Sequence, residues 1–221
     1  MKEPRHYHHG DLAAALLNAA QDELADKGIE AFSLRGVAKR AGVSHAAPAH
    51  HFKDVQCLLT ALAANGFERF VQRQSDFRRE ARQDARAQLV ASGVGYVVFA
   101  MENPALFRLM FGSSRPDFDD PTLQLAAGRA YDDLVLHVRR ATGRHDGDSA
   151  HDPELMLDVA AAWAVAHGLA DLLVAGRVQW LGALSGRAQL EAIAAVLRRV
   201  IQAPSAPQVP GSELPSQPDL N

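Results

Sequence analysis

The chain has 221 residues, is 48% hydrophobic and 22% charged, and carries a formal charge of -3. That length and balance suit one or two folded domains with sizeable cores and exclude a disordered or collagen-like chain. The single cysteine, Cys57, allows no intrachain disulfide, the longest uncharged run (Ala87 to Met101) is too short to span a bilayer, and no signal-peptide core precedes Asp11, so a cytoplasmic protein with no membrane partner is expected.

Forty residues are alanine and only three are isoleucine, which sets an all-α expectation. The first helix is expected from Asp11 as N-cap to Gly28, with Leu12, Leu16, Ala20 and Leu24 at helical spacing. Ser33 caps a second, short helix with Leu34, Val37, Ala38 and Ala41 on one face, and Gly42 interrupts it. Ser44 caps a third segment to Phe52, although Pro48 inside it removes a hydrogen bond and predicts a shifted start or an irregular first turn. A long helix from Asp54 to Arg82 is apolar at first and polar from Gln72 onward, the pattern of a helix leaving one core and crossing solvent.

The segment Ala85 to Met101 is apolar over most of its surface and is expected to be buried. Asn103-Pro104, Asp120-Pro121 and Asp152-Pro153 each read as an N-cap followed by proline, opening helices near 104–111, 121–141 and 153–178. Thr142 to His151 is a polar loop, and a last helix covers about 187–202. Residues 203–221 hold five of the eleven prolines and read as a disordered tail. The domains are therefore expected at 1–53, a three-helix helix-turn-helix unit, and at 54–202, a larger helical domain, with 203–221 as tail.

The segment Ser33 to Phe52, SLRGVAKRAGVSHAAPAHHF, has the parts of a helix-turn-helix: short helix, glycine turn, short helix. Arg35, Lys39, Arg40 and Lys53 give the 21 residues from Ser33 to Lys53 a charge of +4, leaving -7 for the other 200 residues. A cationic patch on a small domain attracts the DNA backbone whatever the total charge. A plain helical hairpin with surface cations fits the same residues, so the pattern alone leaves both open.

The run HHGDL at 8–12 and the phrase SLRGVAKRAGVSHAAP at 33–48 resemble the DNA-binding domain of the TetR/AcrR family of bacterial transcriptional regulators. NPALFRLMFG at 103–112 and the spaced Trp163, His167 and Gly168 resemble the branch with a C-terminal Trp-His-Gly domain. The resemblance covers nearly the whole chain except the tail. It implies a dimeric regulator, a repressor released from a palindromic DNA operator by a small-molecule effector. His45 and Ala46 would read bases, while Ser33, Arg35, Lys39, Ser44, His50, His51 and Lys53 would hold or approach phosphates. Two positions depart from the family pattern: Ala49 stands where a tyrosine is usual and Val55 where a lysine is usual, which removes two phosphate contacts. A dimeric small-molecule-binding protein with weakened or lost operator binding is the alternative.

The family also implies a ligand pocket, for which Tyr96, Met101, Phe107, Arg108, Met110, Tyr131, His137, Trp163 and His167 are the candidates. On the residues alone each reads first as core, and Trp163 with His167 as a packed pair one turn apart. The helix 153–178 is apolar on two faces, so it meets two partners or sits in one large core. The dimer reading uses Leu155, Val159, Ala162, Ala166, Leu169 and Leu173 with Leu190, Ile193, Leu197 and Ile201 of the last helix, as a four-helix interface. Ten histidines suggest a metal, but neither HExxH nor paired CxxC occurs, so no metal site and no cofactor are expected. The absence of GxSxG, P-loop and Rossmann patterns leads to the expectation that the chain is not an enzyme.

Overall fold

The structure, a computed structural model, describes residues 9–144 and 152–201, with side chains from Leu12 onward. The described residues are all helical apart from turns. Helix α1 spans His9–Lys27, α2 spans Leu34–Ala41, and a 3₁₀ turn spans Ala47–His50. Then follow α3 (Val55–Glu80), α4 (Ala85–Glu102), α5 (Pro104–Gly112) and α6 (Pro121–Ala141). The chain ends with α7 (Pro153–Val174), α8 (Gln179–Gly182) and α9 (Gly186–Ile201). The proline-rich tail and most of the polar loop before His151 lie outside the described residues.

Helix α1 already runs through Asp11, so that residue is inside the first turn and is not the N-cap. An acidic residue suits the positive end of a helix as well as it suits the cap. Ser33 does cap α2: its Oγ accepts from the Gly36 N–H at 3.1 Å. Asp54, Asp84, Asp120 and Asp152 cap α3, α4, α6 and α7 in the same way. Asn103 precedes Pro104 as expected but does not cap α5. Its amide is used instead across the fold, as described below.

Leu16, Leu24, Phe32, Val37, Leu58 and Leu62 form the N-terminal core, so the first turns of α3 belong to the helix-turn-helix unit. Gly36 lets α2 lie close to α1: a Cβ there would sit 1.9 Å from a Glu23 carboxylate oxygen. The second half of α3 packs on α4, the central helix, which also touches α5, α6, α7 and α9. The polar run from Gln72 does not cross solvent. Gln74 is buried, Arg73 pairs with Glu102, and Arg78 forms a forked pair with Asp133 at 2.8 and 3.2 Å. These partners satisfy polar groups on α3 against α4 and α6, which the alternation of polar types along one helix does not reveal.

Helix α7 ends at Val174, four residues before the expected stop. Gly176, at φ +67°, closes it with the Arg177 N–H bonded to the Leu172 carbonyl at 2.8 Å. The short α8 that follows was not expected from sequence.

Candidate DNA-binding interface and internal cavity

The segment expected as a recognition helix from Ser44 is a tighter structure. Ala47 N–H bonds to the Ser44 carbonyl at 3.0 Å and Ala49 N–H to that of Ala46 at 3.2 Å, both three residues apart. Ser44 caps nothing with its side chain, and the N-cap position of the 3₁₀ turn is Ala46. Pro48 is the cause: it is buried, and it has no N–H for the α-helical bond back to Ser44. The chain therefore makes the three-residue bonds that remain available.

Arg35, Lys39, Ser44, His45, Ala46, His50, His51 and Lys53 are all exposed, while Ser33 is half-buried with its hydroxyl engaged in the cap. Arg40 faces the other way. Its guanidinium bonds Glu23, whose side chain is 8% exposed, and Asp26 on α1. Together with Lys27 it holds the Asp26 carboxyl below its ordinary value. One cation of the +4 window is thus internal scaffolding, and Arg35, Lys39 and Lys53 carry the outward positive charge. Ala49 is exposed, and Val55 packs against the core at the start of α3.

A second constellation joins the helix-turn-helix to the larger domain. Asn103, at the 110° bend between α4 and α5, accepts from Gln21 on α1 at 3.1 Å and from Arg69 on α3 at 3.2 Å. Arg69 also bonds Gln21, and the Asn103 amide donates to the Phe99 carbonyl at 3.1 Å. Four polar groups from three elements therefore lock α1 to the α4–α5 corner.

A cavity of about 450 Å³ is bounded by α3, α4, α6 and α7, with Phe111 of α5 and Leu197 of α9 completing its wall. Of the nine ligand candidates, Tyr96, Tyr131 and Trp163 line it. Tyr131 and Trp163 pack edge to face with centroids 6.4 Å apart, and both are partly exposed, so they flank the opening. His167 stands behind Tyr96, whose hydroxyl lies 2.7 Å from its Nδ1. Burial pushes the Tyr96 phenol above its ordinary value, against a smaller opposing pull from Trp163, so the phenol stays neutral and its hydroxyl shares a hydrogen bond with that ring nitrogen.

The other five candidates do not reach the cavity. Phe107 and Met110 are core residues at 2% exposure, and Met101 is packed beside them. Arg108 is exposed and points to the Val174 carbonyl at 3.5 Å. His137 bonds the Asp133 backbone carbonyl at 2.9 Å on α6. Phe67, Phe70, Gln74, Ser92 and Phe111 line the cavity in their place. The sequence offered one signal for them, the phenylalanines of α3 at helical spacing, and that was read as core.

The dimer candidates are also reassigned. Leu155, Val159, Ala166, Leu169, Ile193 and Leu197 are all within 8% exposure in the single chain, so they belong to its own core. Ala162, Leu173 and Leu190 are half-buried, and Ala162 faces the cavity. Ile201 ends α9 where side chains are no longer described. The exposed apolar stripe of α7 is instead Leu157, Ala160, Ala161, Ala164 and Leu172. The two-faced pattern was legible; which face α4 covers was not.

Among the described residues no cluster of three or more His, Cys, Asp or Glu side chains could hold a metal ion.

An outward cationic helix-turn-helix rigidly joined to a helical domain defines the class: a DNA-binding regulator of the helix-turn-helix type. The bacterial regulatory proteins of the tetR family match residues 16–62, and the tetracyclin repressor-like C-terminal domain matches residues 89–197. The chain belongs to the TetR family of transcriptional regulators. A protein with unknown function from Rhodococcus sp. RHA1 is 33% identical, with a TM-score of 0.70 over 90% of this chain and all of its own. A TetR-like transcriptional regulator from the same organism shares the fold at 16% identity, with a TM-score of 0.60 over 92% of this chain and 100% of its own. So does the fatty acid degradation regulator FadR from Bacillus halodurans, at 16% identity and a TM-score of 0.60, over 83% of this chain and 96% of its own. No curated protein matches the chain.

Proposed function

We propose that the chain is a dimeric repressor that leaves a palindromic operator when a small molecule fills the cavity between α3, α4, α6 and α7. One observation carries this reading. Helix α3 is unbroken over 26 residues, roughly 39 Å. Its first turns place Leu58, Leu59 and Leu62 in the helix-turn-helix core, and its second half places Phe67, Phe70 and Gln74 on the cavity wall. A ligand that binds one tilt of α3 better than another shifts the population toward that tilt. The attached helix-turn-helix must then move, and two recognition segments spaced about 34–36 Å apart for successive major grooves lose their spacing.

In this mechanism His45 and Ala46 face base edges, and Arg35, Lys39, Lys53, His50 and His51 approach phosphates. Ser44 and Ser33 lie at the ends of the turn where they can donate to the backbone. The subunits meet through the exposed stripe of α7. That helix reaches a mean hydropathy of 1.5 over an 18-residue window, of which only 22% is buried within the chain. An apolar face so uncovered on a protein acting in the cytoplasm favours a second copy as its partner. Ala160, Ala161 and Ala164 allow close helix approach.

The test is selection of duplexes from a random pool by the full chain, followed by affinity measurement against salt. Enrichment of a two-fold symmetric site, bound far more tightly than random duplex, is expected. Weak binding that is blind to sequence favours the alternative, a dimeric ligand-binding protein without operator affinity, which the losses at Ala49 and Val55 would explain.

A further inference from the structure

Four polar side chains are buried among the described residues: Glu23, Thr60, Gln74 and Ser92. Three have partners. Glu23 pairs with Arg40, Thr60 donates to the Gln56 carbonyl and accepts from the Asp117 N–H, and Ser92 accepts from Arg78. Gln74 is 6% exposed, lines the cavity, and has no side-chain hydrogen bond within the described residues. Its amide atoms open onto the cavity, and a primary amide offers two donor protons and an acceptor oxygen there. A sequence keeps such a group where something else completes it.

The rest of the wall narrows what that can be. Phe67, Phe70, Phe111, Tyr96, Tyr131 and Trp163 surround the space, and among the described residues no Asp, Glu, Lys, Arg or His lines it. The nearest ionised pair, Arg78 with Asp133, is closed on itself and on Ser92. An ion entering the cavity would lose its hydration with no counter-charge to meet it. Tyr96 is already committed to His167 and Ser92 to Arg78, and the Tyr131 hydroxyl and Trp163 N–H stand at the opening, which leaves Gln74 as the unpaired polar side chain of the inner wall. The volume equals that of roughly 15 liquid waters at about 30 Å³ each, room for two aromatic rings.

We propose that the effector is an uncharged, flat, largely apolar molecule with one hydroxyl or amide group, which hydrogen-bonds the Gln74 side chain. This rests on the reading of the cavity as the effector site. It also gives the regulation a point of application, because Gln74 is on α3. Gly95 of α4 lies directly against the backbone there: a Cβ on Gly95 would be 2.7 Å from the Gln74 Cα.

The experiment is calorimetric titration of the full chain with three probes of one shape: para-phenylphenol, biphenyl and biphenyl carboxylate. Para-phenylphenol should bind about fivefold more tightly than biphenyl, the range of one net hydrogen bond, and the carboxylate should give no measurable binding. Gln74→Met keeps the side-chain length and removes the amide. It should bind phenol and biphenyl equally and melt at the same or a higher temperature without ligand. Equal affinities in the native chain, discrimination that survives in Gln74→Met, tightest binding of the carboxylate, or no binding of any probe would each overturn the proposal. Operator affinity is measured in parallel on both proteins. Its absence in the native chain refutes the repressor reading and leaves the probe ranking standing; its presence alongside failed probes refutes only the ligand class.

Discussion

Gly95→Ala is the most direct probe of how tightly α3 is held. The new methyl carbon would lie 2.7 Å from the Gln74 Cα and 3.0 Å from the Arg73 carbonyl oxygen, both backbone atoms of α3. Carbon pairs rest at about 3.5–4.0 Å, so the two helices must part by roughly 1 Å. Overpacking of this kind costs about 1–3 kcal/mol. Alanine returns up to about 1 kcal/mol of helix propensity. The obstacle here is main chain that cannot rotate aside, which places the packing cost at the upper end and leaves a net loss of about 2 kcal/mol. For a chain of this size that lowers the melting temperature by about 4–8 °C. Gly93→Ala is the matched control on the same helix. Its methyl meets a Leu197 side-chain carbon at 2.9 Å, a group that can turn, so the propensity gain should roughly cancel the clash. Thermal unfolding followed by circular dichroism reads both variants. If Gly95→Ala melts with or above the native protein, α3 and α4 are not in that contact, and the route from the cavity to the helix-turn-helix loses its physical basis.

Other expectations concern DNA, assembly and pH. Replacing Arg35, Lys39 or Lys53 by alanine should each reduce the slope of log affinity against log salt by about 0.9, whereas Arg40→Ala should leave the slope unchanged and weaken folding. Filter binding over a salt series separates the two; a slope change for Arg40→Ala equal to the others would mean it touches phosphate. Ala164→Glu puts a charge on the exposed stripe of α7 and should convert the dimer to monomer in sedimentation velocity, while the same change at exposed Ala188 of α9 should not. Burial and then the Arg78 cation hold His137 below its ordinary value, outweighing Asp133, with Arg140 adding to the depression. The unfolded chain therefore takes up that proton first, so this site lowers stability as pH falls through about 6.5 toward the folded value. His137→Gln should flatten that part of a pH–stability curve measured by urea unfolding, and an unaltered curve would refute the assignment.

Most helix boundaries were legible because they depend on neighbours in sequence. Asp120-Pro121 and Asp152-Pro153 open α6 and α7 where the cap-proline rule puts them, and Asp54 and Ser33 cap as their types suggest. Asn103-Pro104 also opens α5 where expected, but the Asn103 side chain does not cap: it is held by the Phe99 carbonyl and by Gln21 and Arg69, partners that sequence spacing does not relate. Pro48 signalled an irregular turn, and the structure carries the irregularity through the whole segment. The stop of α7 at Gly176 was available as a signal and was outweighed by the apolar run around it.

The candidate site was less legible, for a reason that lies in its construction. The candidate DNA-contacting side chains all lie between Ser33 and Lys53, so one window of sequence contains them. The cavity takes its wall from six helices, and a residue there is distinguished from a core residue only by the empty space beside it. Gln74 is the extreme case: in sequence it is one polar residue in a polar run. Its placement also explains how the two modules can act together. The family patterns match 16–62 and 89–197, and the stretch between them holds Phe67, Arg69, Phe70, Gln74 and Arg78. Phe67, Phe70 and Gln74 belong to the cavity wall, most of which lies within 89–197, while Arg69 ties α3 to α1 and Arg78 fastens its far end to α6. A pattern shared by regulators of different ligands can describe the DNA-binding unit and the helical frame. Under the proposed regulation the coupling between them runs through this half of α3, which neither pattern contains.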